Sequence, residues 1–199
     1  MADVAAILAT ALAAVAAVPQ LRRVLVSGDG RGVSLSAALL GVVNETNWVA
    51  YALSEQLWSA APEAVLMTAT NAALVVSLVR VGAGGRRRAL GAAVSWAAAL
   101  ATVAAVGGPH ALGVPLGAAY AIQVAPAVWT AWRTAAPTGV AASTWAFVLA
   151  ESGLWGIYGV HHADPATSTL AVVGVSASTA ILVRKALGIR RAVPVVAPA

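Results

Sequence analysis

Two short strings of polar residues break into stretches that are otherwise almost wholly apolar. The first is Asn44-Glu45-Thr46-Asn47-Trp48, and the second holds Glu151, Ser152 and Trp155. On a helix, positions i, i+4 and i+7 share a face. Asn44, Trp48 and Tyr51 therefore form one stripe, and Glu151, Trp155 and Tyr158 form another. At helical rise such a stripe is about 10 Å long. Amides, a carboxyl and indoles side by side suit reversible recognition. A flat apolar ring face can stack on an indole while hydroxyls bond to Asn, Ser and Glu. The same residues do not suit bond-breaking chemistry, because no nucleophile–base pair and no metal-ligand cluster accompanies them. Enzymatic activity, a cofactor and a metal are not expected. The chain has no Cys to supply thiolate ligands. His161 and His162, with Asp164 nearby, read as a solvated loop, because adjacent residues rarely converge on one ion.

The carboxyls carry the sharpest functional expectation. Every Lys and Arg falls at or beyond the ends of the long apolar stretches and none near their middles. Glu151 is thus a carboxyl without a cation in low-dielectric surroundings, a candidate to bind and release a proton. Glu45 is a second candidate, one residue off the stripe. Asn71, midway along the third apolar stretch, and Ser178, in the last, are further polar candidates. Asn and Ser also knit helices together by hydrogen bonds across a bundle, and that reading stands beside the functional one.

The elements that must hold these residues follow from composition. Apolar residues make up 60% of the chain and charged ones 10%, with mean hydropathy +0.85; a soluble domain has about half and about a quarter. The apolar residues fall in blocks of about twenty, long enough to cross about 30 Å of hydrocarbon. Helices are expected at 4–24, 33–53, 62–80, 89–107, 112–132, 140–160 and 167–187. In lipid the helix satisfies its own backbone hydrogen bonds. Charge then orients them. Arg22, Arg23 and Arg31, then Arg80 and Arg86 to Arg88, then Arg133, then Arg184, Lys185, Arg190 and Arg191 all fall on one side, with Asp3, Glu55, Glu63, Asp164 and the three histidines opposite. By the positive-inside rule the N-terminus is outside and the C-terminus cytoplasmic, in a multi-pass protein of the plasma membrane. Bases clustered between apolar blocks are a topology signal, not a nucleic-acid surface, and the last cluster reads as an anchor to anionic lipid. Met1-Ala2-Asp3 lacks a basic leader region, so the first block is expected to remain in the mature protein.

Shifting the chain by 107 residues brings Pro19 onto Pro126, Gly32-Val33 onto Gly139-Val140, Ser36 onto Ser143, Trp48 onto Trp155 and Tyr51 onto Tyr158. The same shift pairs Asn44 with Glu151 and Asn71 with Ser178. Three helices are an odd number, so a second copy enters the membrane the same way round only if a fourth helix intervenes. The expected fold is an all-α membrane protein with seven transmembrane helices, two parallel three-helix repeats and a linker helix. Residues 1–82 form the first repeat, 83–110 the linker with helix 4, 111–188 the second repeat and 189–199 a cytoplasmic tail. Pro19 and Pro126 interrupt helix hydrogen bonding at matched places and are hinge candidates, with Tyr51 and Tyr158 as gate candidates.

Pro19-Gln20, a basic loop and Gly32-Val33-Ser34 resemble the PQ-loop motif. With the duplicated plan, the matched Trp pair and Asn71, the chain resembles the SWEET sugar transporters and their half-length SemiSWEET relatives. The resemblance implies a facilitative, alternating-access carrier of mono- or disaccharides. It implies a midplane pocket lined here by Val15, Asn44, Trp48 and Asn71 and by Ile122, Glu151, Trp155 and Ser178. The chain departs from the family at Ala127 after Pro126, at Ala37 and Thr144 where prolines are usual, at Ser178 in place of a second asparagine, and at Glu151 in place of a small polar residue. Two alternatives remain open: a proton-coupled carrier of amino acids or other small metabolites, and a receptor or chaperone that moves no solute. The expected partners are a small polar substrate and the bilayer, with no nucleic acid. One chain holds both halves of the pocket, so a homo-oligomer is allowed but not required.

Overall fold

A computed structural model describes residues 1–27, 34–82, 84–133 and 142–191, without the side chains of 18–20, 23, 27 and 189–191. Among these residues there are seven α-helices and no strand: α1 (Ala2–Ser27), α2 (Leu35–Ser54), α3 (Ala61–Arg80), α4 (Arg86–Gly107), α5 (Gly113–Arg133), α6 (Ala142–His161) and α7 (Pro165–Arg191). A 3₁₀ turn, Pro109–Leu112, joins α4 to α5. Each apolar block of the sequence is a helix, with ends within a few residues of those expected. The tail expected from 189 begins inside α7. Gly32-Val33, Arg31 and Gly139-Val140 lie outside the described residues.

The helix ends follow from local chemistry. Ser34 caps α2, its Oγ accepting from the Ala37 N–H at 3.3 Å. Gly108, at φ 74, stops α4 before Pro109. The turns α2–α3 and α6–α7 are the same turn built twice. Gln56 (φ 58) and Ala163 (φ 50) are the two non-glycine residues with positive φ among those described, and they occupy equivalent places under the 107 shift. Around them Leu57 N–H donates to the Ala52 carbonyl and Asp164 N–H to the Gly159 carbonyl, both at 2.8 Å. Each is the closing bond of a Schellman-type helix end.

Packing repeats as well. Helix α3 lies between α1 and α2, and α7 between α5 and α6. The two triplets meet where α1 packs on α6 and, more lightly, α2 on α5, while α4 lies on α2. Their cores differ along the length of the bundle. At the end carrying Asp3, Glu55 and Asp164, a single apolar core joins both triplets through Trp48, Tyr51, Leu116, Trp155 and Tyr158. At the opposite end, which carries the arginines, each triplet has its own core, Val24, Ala38 and Leu74 in one and the equivalent Ala131, Trp145 and Ile181 in the other. The triplets are thus fastened at the acidic end and separate at the basic end.

Small residues permit the close crossings. A Cβ added at Gly117 of α5 would lie 2.4 Å from the Ala166 carbonyl oxygen of α7, and one at Gly174 of α7 would lie 2.0 Å from Ser152 Oγ of α6. Among the described residues, four segments, Ala61–Arg80, Arg86–Gly107, Pro109–Arg133 and Pro165–Gly188, are long and apolar enough to cross a membrane by length and composition. Large apolar side chains cover much of the outer surface, among them Ile7, Val94, Val106 and Val172. The chain is an all-helical protein suited to a membrane.

Candidate functional site

A cavity of about 310 Å³ opens between the triplets, walled by α1, α2, α3, α5, α6 and α7. Part of its lining is pairwise equivalent under the 107 shift. Ala13 faces it with Tyr120, Ala16 with Gln123, Glu45 with Ser152, Trp48 with Trp155, Ala60 with Thr167 and Glu63 with Leu170. The two indoles are held alike. Trp48 packs edge-on to Tyr51 at 5.8 Å and 89°, and Trp155 to Tyr158 at 5.5 Å and 87°. This T-shaped arrangement is the favoured one for aromatic pairs.

Of the residues singled out from sequence, Trp48, Asn71, Glu151, Trp155 and Glu45 line the cavity. Asn71 reaches it beside Gly41, where an added Cβ would stand 2.8 Å from the Asn71 side chain. Asn44 and Ser178 do not line it. They are 3% and 0% exposed, and Asn44 Oδ1 and Ser178 Oγ have no hydrogen-bond partner. Val15 and Ile122 point away from it and are 63% and 64% exposed. The difference is one of rotation about the helix axis. Helix α1 turns Ala13, Ala16 and Ala17 to the cavity, and α5 turns Tyr120 and Gln123, so Val15 and Ile122 fall on the far faces. Pro126 lies inside α5 and Pro19 inside α1, the latter's side chain being outside the described residues.

The gate candidates are buried but unlike. Tyr51 on α2 donates its hydroxyl to Asp164 Oδ1, tying the first triplet to the start of α7 in the second. Asp164 also caps α7, its Oδ2 accepting from Thr167 N–H at 2.7 Å and Thr167 Oγ1 at 2.6 Å. Tyr158 is as fully buried as Tyr51, yet its hydroxyl makes no hydrogen bond. Its polar neighbour is Ser59, whose hydroxyl is given instead to Asp3 Oδ1. The residue equivalent to Asp164 is Leu57, which has no acceptor to offer.

Sequence reasoning missed Glu63 and Asp164. Charge sorting placed both on the outer polar side with Asp3 and Glu55. Glu63 lines the cavity, and its Oε2 is buried without a partner. The signal was its spacing, since Glu63, Met67, Thr70, Asn71 and Leu74 fall on one helical face and all five line the cavity.

Three carboxyls, Glu45, Glu63 and Glu151, therefore share one cavity from three helices. They are near enough to act on one another electrostatically, and no Lys or Arg is among the described residues that line it. Among the described residues, no group of three His, Cys, Asp or Glu is arranged to hold a metal ion. Indoles, amides, hydroxyls and carboxyls around a small void can bind and release a polar organic solute. A scan against protein-family models gives no match for this chain, and a search of the curated proteins gives none.

Proposed function

We propose that the chain is a solute carrier of the plasma membrane that works by alternating access, with mono- or disaccharides as the first substrate class. In this reading all seven helices span the bilayer. Two same-facing repeats, 1–82 and 111–188, are joined by α4, and the acidic end faces outward. The observation that carries it is the pairing of cavity residues across the repeats, above all Trp48 with Trp155. A site lined by two pseudo-equivalent bundles can be exposed to either side by rocking one against the other.

The single core at the acidic end and the Tyr51–Asp164 bond make that end the closed one, and the separate cores at the basic end leave the bundles free to part there. Export or uptake then needs the Tyr51–Asp164 bond to break while the basic ends close, with Pro19 and Pro126 as the bends. The cavity volume is at the low end of the range for ligand pockets, about 300–1,000 Å³. A small solute stacked against an indole, with hydroxyls on Asn71, Gln123 and Ser152, suits it.

Counterflow of radiolabelled sugar into liposomes holding the purified chain tests the reading. Saturable flux that exceeds protein-free liposomes supports it, and inert liposomes with every sugar and amino acid tried would leave a receptor or chaperone as the better account. A second reading, proton-linked carriage of an amino acid or other metabolite, is favoured by Glu151 and Glu45 converging on the cavity. An imposed pH gradient that drives uptake, with the response lost in Glu151→Gln, would support it.

A further inference from the structure

The cavity is lopsided. Helix α3 lends it Met67, Thr70, Asn71 and Leu74, whereas their equivalents on α7, Gly174, Ala177, Ser178 and Ile181, line none of it. Ala177 and Ile181 are packed into the core of the second triplet instead, and Ser178 is wholly buried. The void therefore lies off the axis between the repeats, on the side walled by α1 and α3.

Differences between the repeats account for this. Tyr120 of α5 packs on the core that holds Ala177 and Ile181, its ring so placed that a Cβ added at Gly174 would lie 3.1 Å from its Cε1. The equivalent of Tyr120 on α1 is Ala13, and the equivalent of Gly174 on α3 is Met67. Gly117, whose bare backbone lets α5 come up against α7, is matched on α1 by Thr10. Helix α5 accordingly packs closely on α7, while α1 packs more on α6 than on α3. In the second triplet a phenol ring fills the space between the helices; in the first, Ala13, Ala16 and Ala17 leave it open. Protein interiors are ordinarily filled to crystal-like density. A half left empty where its twin is plugged is thus a seat for something else.

Resting on the carrier reading, we infer that the solute lies in the first triplet's half of the cavity and that Tyr120, by plugging the other half, limits the solute to a single sugar-sized ring. A second ring would have to enter the space that the phenol occupies.

The test uses the full chain in liposomes. Initial counterflow rates are compared for radiolabelled glucose and maltose, which differ by one ring. In the wild type glucose is expected to exceed maltose by about tenfold or more, and Tyr120→Ala, checked for a monodisperse elution profile, is expected to bring the two within about threefold by admitting the second ring. Ala13→Tyr, which copies the plug into the first triplet, is expected to stop exchange of both. Maltose exchanged as fast as glucose by the wild type, a ratio unchanged in Tyr120→Ala, or full exchange in Ala13→Tyr overturns the inference and leaves the carrier reading standing. If neither sugar exchanges, the carrier reading falls; in that case, or where Tyr120→Ala does not elute as a single species, thiol labelling decides the inference. The chain has no Cys, so Thr70→Cys and Ala177→Cys each present one thiol at equivalent places in the two halves. Labelling of Thr70→Cys by a small water-soluble methanethiosulfonate about tenfold faster than Ala177→Cys, with the gap narrowed by Tyr120→Leu, sustains the plug. Equal labelling, or a gap that Tyr120→Leu does not narrow, overturns it.

Discussion

Trp48 and Trp155, 107 residues apart in sequence, wall one cavity from equivalent places in two triplets, each braced edge-on by the tyrosine three residues further along. The brace explains how an indole can line a void without collapsing into it. Tyr51 and Tyr158 are both fully buried, so the ring that each Trp leans on cannot shift. Rigid recognition surfaces of this kind bind with little ordering cost.

Trp48→Ala and Trp155→Ala are each expected to lower solute counterflow more than tenfold. Truncating a buried Trp costs about 3–5 kcal/mol in soluble cores, so Trp48→Phe and Trp155→Phe are the needed companions. The Phe variants are expected to keep most of the stability and to recover part of the flux, and equal flux in wild type and both Ala variants would remove the indoles from the pathway.

The two tyrosine hydroxyls are expected to behave oppositely. Tyr51→Phe deletes a hydrogen bond to a carboxylate, worth about 1.5–3 kcal/mol, and should loosen the acidic end. The chain has no Cys, so Ala60→Cys gives a single thiol on the cavity wall near that end. Its labelling by an impermeant maleimide applied to intact cells should rise about tenfold in the Tyr51→Phe background. Tyr158→Phe removes an unbonded hydroxyl and should be neutral or slightly stabilising by thermal unfolding. The reverse pattern would contradict the assignment of Tyr51–Asp164 as the closure.

Gly117→Ala should destabilise by about 1–3 kcal/mol, the usual cost of overpacking, because the new Cβ meets a backbone carbonyl that cannot turn aside. Gly174→Ala meets a serine hydroxymethyl instead, and Ser152→Ala in the same chain should return part of the loss. Thermal denaturation in detergent compares the three.

Val15→Ala and Ile122→Ala should leave flux within about twofold and stability within about 0.5 kcal/mol, as is usual for exposed positions. Gln123→Ala, on the cavity face of α5, should lower flux several-fold. Counterflow rates for the three variants check which face of α1 and α5 the solute meets.

The helices were legible from residues alone, because apolar blocks of about twenty residues separated by charged and Gly/Pro-rich turns are hard to produce by chance. Helix rotation was not. A helix in lipid is apolar on the face toward lipid and often on the face toward its neighbours, so periodicity carries little of the signal it carries in a soluble helix. Val15 and Ile122 lie on the outer faces of their helices, whereas Trp48 and Trp155, marked by polar neighbours, line the cavity. Glu63 and Asp164 were missed because a charge at a helix start ordinarily reads as solvated. Only the fold reveals that Glu63 looks down the cavity and that Asp164, 5% exposed, is held by Tyr51 from the other triplet.

The cavity as the route for solute can be tested by blocking it. Ala16→Cys supplies the chain's one thiol, on the cavity wall, and counterflow is measured before and after a bulky thiol reagent, with and without excess solute. Flux should fall to the level of protein-free liposomes on modification, and solute should slow the modification. Complete modification of residue 16 with undiminished flux would contradict the account.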